Sequence, residues 1–178
     1  MNASAALIPL ENMDIALERD GFCRTIIREL SGLLQEVVGL EEASGFISVV
    51  GQNIGREINK TYKKQLKVSR LSKEQSAMVM VDLKQRIKGS FRIVEQDDTK
   101  VVFENSDCPF GDMVLGRPSL CMMTSNVFGT IAAENTDYAK VVLEKTIAAG
   151  DPGCRVLVYF DETDEASSKE GKEYFSAE

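Results

Sequence analysis

The chain has 178 residues, 43% of them apolar, which suffices for one respectable core and fits the usual size of a single domain. Its 21 Lys and Arg against 28 Asp and Glu give a net charge of -7, the wrong sign for affinity built on neutralising phosphates, so nucleic acid is not an expected partner. His is absent, which removes Ser-His-Asp and Cys-His catalysis, histidine-ligated haem and every zinc site that needs imidazole.

No apolar run approaches the roughly 18 residues of a membrane span. The opening MNASAALIPLENMD lacks the basic leader and apolar core of a secretory signal. A soluble, cytoplasmic protein without a membrane partner is expected. In that compartment the four cysteines are expected as reduced thiols or thiolate ligands rather than disulfides.

From Met13 to Val38 the residues Phe22, Ile26, Leu30, Leu33, Leu34 and Val37 recur at three and four, the period of a helix with one buried stripe, and Gly39 ends it. Cys23, beside Phe22, reads as a core residue. A second helix carries Ala43, Phe46, Ile47, Val50, Ile54, Ile58 and Tyr62 on one face and runs to the basic stretch from Lys63 to Lys67. Gly51 and Gly55, four apart on it, cost roughly 1 kcal/mol each against alanine and imply close approach by another backbone, a ligand or a second copy of the chain. Ser72 with Gln75 forms a capping box that opens a third helix through Met78, Val81, Leu83 and Ile87, closed at Gly89.

SFRIVEQ (90–96) and TKVVFEN (99–105) flank Asp97-Asp98 as a hairpin. Ser119 is placed to cap a fourth helix over 120–134, which Pro118 prevents from extending backwards. YAKVVLEKTIA (138–148) and CRVLVYF (154–160) read as a second hairpin around the turn AGDPG. The expected fold is α+β: N-terminal helices packed on a small antiparallel sheet of about four strands, with one helix between the two hairpins. Residues 1–13 read as a flexible N-terminus, 14–160 as a single α+β domain, and 161–178 as a charged, disordered tail.

Three cysteines fall at element junctions where distant parts of the chain converge: Cys108 past the second strand, Cys121 in the first turn of the fourth helix, and Cys154 opening the last strand. A helix N-terminus favours the thiolate that ligates metal. Tetrahedral zinc would leave a fourth position for a carboxylate, with Glu144 on the third strand the first candidate, or for water, and an iron-sulfur cluster is the alternative. Without Cys-x-x-Cys spacing the same residues also read as small core fillers with no cofactor, or as a redox pair. Met122, Met123, Val127 and Phe128, with Phe46 and Val50 from the second helix, offer an adaptable apolar lining for a small ligand, or plain core. The Gly150–Gly153 stretch reads as turn chemistry, and Arg117 as a solvated or anion-clamping loop arginine.

The stretches VGLEEASGFISVVGQNIG, DLKQRIKGSF, CPFGDMVLGRPSLCMMTSNVFGTIAAEN and KTIAAGDPGCRV resemble the methanogen output domain, a prokaryotic signalling module found alone or joined to sensor and kinase-related domains. The resemblance spans about residues 14 to 160. The CPFG and GDPGC pieces are also similar to 4-vinyl-reductase-like ligand-sensing domains and to the aromatic-sensing domains of phenol-responsive activators, in which a final Gly-Asp/His-x-x-Cys turn and a cysteine before a helix help to hold zinc. That likeness implies Cys121 and Cys154 as ligands with Glu144 near the carboxylate position. Thr146 departs from it, because a cysteine usually stands about eight residues before the last one. The spacing is similar as well to iron-sulfur repressors of cluster assembly, whose DNA-binding winged helix is absent here.

Together these features imply a non-catalytic sensory domain that responds to a small apolar ligand, a metal or redox state, acts on a signalling partner, and forms a homodimer through the glycine strip. The competing expectations are a small metal-dependent hydrolase or reductase, with Glu144, Asp112 or metal-bound water as base, and a thiol redox sensor.

Overall fold

A computed structural model describes residues 14, 15 and 17–176, so the N-terminal segment read as flexible lies outside the described residues. Helix α1 (Arg19–Val38) ends at Gly39, whose positive φ of 86° only glycine adopts freely, and α2 (Leu40–Leu66) begins at once. Helix α3 (Lys73–Arg86) opens with the reciprocal Ser72 and Gln75 capping box that the sequence predicts. Strands β1 (Arg92–Gln96) and β2 (Lys100–Asn105) form the first hairpin. Asp97 makes its turn by accepting from the backbone N–H groups of Thr99 and Lys100.

Two 3-10 turns, Gly111–Val114 and Pro118–Leu120, lead into α4 (Cys121–Thr136). Ser119 does not cap that helix; its buried hydroxyl donates to Gln35 on α1. Strands β3 (Tyr138–Lys145) and β4 (Cys154–Tyr159) pair antiparallel around the 3-10 turn Ile147–Ala149, and Glu144 sits in a β-bulge between Leu143 and Lys145.

The segment beyond Phe160 is not a loose tail. It forms α5 (Asp164–Ser168) and β5 (Lys172–Phe175), which pairs with β3, so the antiparallel sheet has five strands in the order β1-β2-β4-β3-β5 rather than about four. Charge density hid two apolar anchors there. Ala166 closes a cluster with Val102, Val142, Leu157 and Tyr159 on the outer face of the sheet. Tyr174 reaches the inner core and hydrogen-bonds Ser125 at 2.8 Å.

The main core lies between that inner face and helices α3 and α4, around Met80, Phe91, Phe103, Phe128 and Ile131. Two expected stripes are misplaced. On α3 the inward residues are Ala77, Met80, Leu83 and Lys84, while Met78 faces solvent, because apolar residues on several faces fit more than one helical register. On α1, Phe22, Ile26, Leu30, Leu33 and Val37 are exposed, as is Cys23, and the buried residues are Ser31 and Gly32. No described helix is long and apolar enough to cross a membrane.

The glycine strip of α2 serves close packing against α4. A Cβ on Gly51 would lie 2.8 Å from Asn126 Cβ, and one on Gly55 would lie 3.0 Å from Thr130 Cβ. The strip is thus covered within the chain and does not provide the dimer surface expected of it. Gly129 on α4 likewise makes room for Tyr174, whose ring would come within 2.2 Å of an added Cβ. Gly129→Val should therefore evict Tyr174, destabilise the protein by about 3 kcal/mol and expose residues 164–176 to protease. Urea unfolding with limited proteolysis checks this; an unchanged midpoint and an intact C-terminus would contradict it.

Candidate functional site

Where the end of the sheet meets the C-terminal end of α3, the structure leaves a chamber of about 400 Å³. Phe91, Phe110, Leu120, Met123, Leu143 and Val156 give it mostly apolar walls. The loop from Cys108 to Leu120 forms one side, and its clasp is α1. Arg28 donates to the carbonyls of Met113 and Leu115, the latter at 3.0 Å. The Arg117 guanidinium lies on α1 where Gly32 has no side chain. Gly153, in the turn before β4, is there because a Cβ would meet the Asn105 carbonyl oxygen at 2.5 Å, which supports the reading of that stretch as turn chemistry.

Cys108, Cys121 and Cys154 all line this chamber, so the convergence inferred from their placement at element junctions is present. Cys154 Sγ accepts from the backbone N–H of Ile147 at 3.4 Å, and its own N–H donates to the Asn105 side chain at 3.0 Å. Burial dominates the chemistry of the three sulfurs. It pushes Cys121 up to about 12, with Cys154 and Cys108 adding to the shift, and it raises Cys108 and Cys154 also. They are therefore thiols at neutral pH rather than thiolates, and the helix start at Cys121 does not reverse this.

Glu144 does not join them. Alternation along β3 places it on the outer face of the sheet, where it pairs with Arg155 at 3.2 Å and with Lys169. Lys169 and then Arg155 hold its carboxyl below the usual range, despite some burial. Thr146, standing where a further cysteine would complete the pattern, caps the turn Ile147–Ala149 and hydrogen-bonds Cys121. With Glu144 turned away, the three sulfurs have no carboxylate beside them as the fourth donor of a tetrahedral zinc site. Among the described residues no group of three His, Cys, Asp or Glu is arranged to hold a metal ion.

Of the six residues expected to contact a small ligand, Met123 alone lines the chamber. Val127 and Phe128 are core, Met122 packs behind the wall with Ile47 and Leu120, and Phe46 and Val50 are 59% and 48% exposed on α2. The residue that sequence reasoning missed is Lys84. It is 5% exposed, donates to Thr124 Oγ1 at 2.7 Å, and sits 5.3 Å and 5.4 Å from the ring centres of Phe91 and Phe128. Its spacing from Ala77 and Met80, three and then four residues, put it on the inward face of α3, and a lysine on an apolar stripe is the signal that could have revealed it.

Burial pushes the Lys84 ammonium down to about 8. Because the unfolded chain holds this proton more tightly, Lys84 weakens the fold most below pH 8, and the loss is recovered as pH rises toward the ordinary value of 10.5. Lys84→Met should accordingly be more stable than the wild type at pH 7. Its advantage should shrink by about 3 kcal/mol as pH rises to 10.5. Urea unfolding of both proteins across that range measures the difference; a gap that does not change with pH would refute the assignment.

The fold recurs in proteins of very different sequence. A crystal structure of the phenol-responsive sensory domain of the transcription activator PoxR, with phenol, superposes with a TM-score of 0.58 at 15% identity, covering 86% of this chain and 81% of that one. A trafficking protein particle complex subunit 3 from Naegleria fowleri, covalently bound to palmitic acid, gives a TM-score of 0.58 at 12% identity, covering 80% of this chain and 95% of that one. At such identities the likeness is one of fold. No curated protein sequence matches the chain. The sequence pattern of one family does: methanogen output domain 1 matches residues 26–159, which span the clasping helix, the glycine strip, all three chamber cysteines and Lys84, and the chain belongs to that family.

Proposed function

We propose that this is a non-catalytic regulatory domain of prokaryotic signal transduction, which encloses a small apolar ligand in its chamber and relays occupancy through α1. The observation that carries the reading is how the chamber is built. Its inner walls are rigid core elements, whereas its outer wall is the loop from Cys108 to Leu120, fastened to α1 by Arg28, Arg117 and Gln35. A ligand that orders this loop also fixes the position of α1, so both respond to one binding event. Membership of an output-domain family and fold likeness to a phenol-responsive sensory domain support the same reading. Both similar structures are of proteins that hold a ligand with an apolar body, phenol in one and palmitic acid in the other.

The outer side of α1 is the relay surface. Ile26, Leu30, Leu33 and Val37 follow one another at four, three and four residues, the seam spacing of paired helices, and all are exposed. Such a seam is complementary to itself, so its occupant is a second copy of the chain. It replaces the glycine strip as the dimer surface.

Two measurements test these assignments. Thermal melts with a panel of small aromatic alcohols, amides and carboxylates should find a stabilising compound, worth about 2.7 kcal/mol at one hundred times its Kd. Ala148→Phe, which fills the chamber, should abolish that shift; a panel without effect, or a shift that survives the substitution, would remove the ligand-binding reading. Light scattering should give a dimer that Leu30→Asp with Leu33→Asp converts to folded monomer. A monomeric wild type would remove the seam from the relay.

A further inference from the structure

The chamber is apolar, yet it contains a cation without a counter-ion. Lys84 Nζ has three donors, and Thr124 Oγ1 accepts one of them. The rings of Phe91 and Phe128 present their faces to the charge but accept no conventional hydrogen bond. Among the described residues no carboxylate forms an ion pair with Lys84. An ammonium buried with unmet donors is unfavourable unless an acceptor arrives.

The rim has the same sign. Arg24, Arg86 and Lys88 border the chamber together with Asp20, which is shared between Arg24 at 3.2 Å and Lys88 at 3.6 Å. Arg86 pairs with Asp82 at 2.6 Å. Counting these acids, the four cations Arg24, Lys84, Arg86 and Lys88 exceed Asp20 and Asp82 by two, in a chain whose net charge is -7. A positive opening on an acidic protein concentrates anions at that point. The buried Nε of Arg24 also lacks a hydrogen-bond partner.

We propose that the ligand is a small apolar monoanion, an aromatic or branched aliphatic carboxylate whose charged head accepts hydrogen bonds from Lys84 and Thr124 while its body fills the apolar chamber. The inference rests on the ligand-binding reading above and specifies its chemistry. Thr124 Oγ1 accepts from Lys84, which leaves its own proton free to donate to the same head, and the three thiols add weak donors. The volume of about 400 Å³ admits about a dozen non-hydrogen atoms if each takes about 30 Å³, as water does in the liquid. A neutral molecule of that size leaves the ammonium unpaired and loses the advantage that a carboxylate gains.

The test is calorimetric titration at pH 7 of the full chain with 4-phenylbutyrate and with its uncharged isostere 4-phenylbutyramide. The wild type should bind the acid about tenfold or more tightly than the amide. Lys84→Met should lose that preference, and Thr124→Val, which keeps the ammonium, should retain it in weakened form. Equal or tighter binding of the amide by the wild type overturns the anion assignment and leaves the ligand-binding chamber standing. An acid preference that survives in Lys84→Met also overturns it. Binding of neither compound by any of the three proteins overturns the chamber reading itself. The wild-type comparison needs no variant, so the proposal stays open to refutation even if a substituted chain misfolds.

Discussion

The constraint on which the rest of this molecule depends is the close approach of α2 to α4. Gly51 and Gly55 bring α2 against the backbone of α4 near Met123 and Val127, where an added Cβ would clash at Gly51 and crowd Thr130 at Gly55. Helix α4 is consequently enclosed nearly all round, with ten buried residues between Ser125 and Asn135. Enclosure on that scale requires its polar groups to be satisfied internally. Asn126 bonds Ser48 and Lys172, while Asn135 bonds Asn59 and receives the backbone N–H of Leu71. These bonds tie α4 to α2, to the loop before α3 and to the last strand, so its position is set from three directions. Its first turn then delivers Cys121, Met123 and Thr124 to the chamber as parts of a rigid wall.

The electrostatics of the chamber follow from that rigidity. Desolvation moves lysine and cysteine in opposite senses, lowering one and raising the other, and in both cases it favours the neutral form. At neutral pH the ammonium at Lys84 is still mostly charged, because its value of about 8 lies above 7, whereas the thiols are not ionised. The site therefore carries net positive charge among neutral sulfurs. Thr146 uses its hydroxyl to cap the turn Ile147–Ala149 by accepting from the backbone N–H of Ala149.

How much of this was legible in the sequence depended on whether a signal was local. The capping box at Ser72, the Asp97 turn, the two hairpins and the break at Gly39 are decided by a few neighbouring residues, and each is found where local chemistry places it. The meeting of Cys108, Cys121 and Cys154 was legible too, since all three stand at element ends that the sheet brings together. The tail was not. Its order depends on Ala166 and Tyr174, two residues in a charged segment, and on a vacancy at Gly129 some forty-five positions earlier. The apolar stripe of α1 was visible, but periodicity reports an apolar face without reporting what covers it. Glu144 was misplaced for a subtler reason: alternation along β3 sends it to the outer face, opposite to Leu143, and spacing from the cysteines gives no warning of that.

Helix α1 lies between the wall of the chamber and an exposed apolar face. Its inner side has little apolar substance, with Ser31 and Gly32 as its buried residues, and besides packing on α2 it makes hydrogen bonds to the loop that walls the chamber. Arg28, Gln35 and the guanidinium of Arg117 join α1 to the loop through polar groups rather than through a shared apolar core. Local stability is lowest where buried apolar contact is sparse, which describes the inner side of α1, while its large apolar residues point outward.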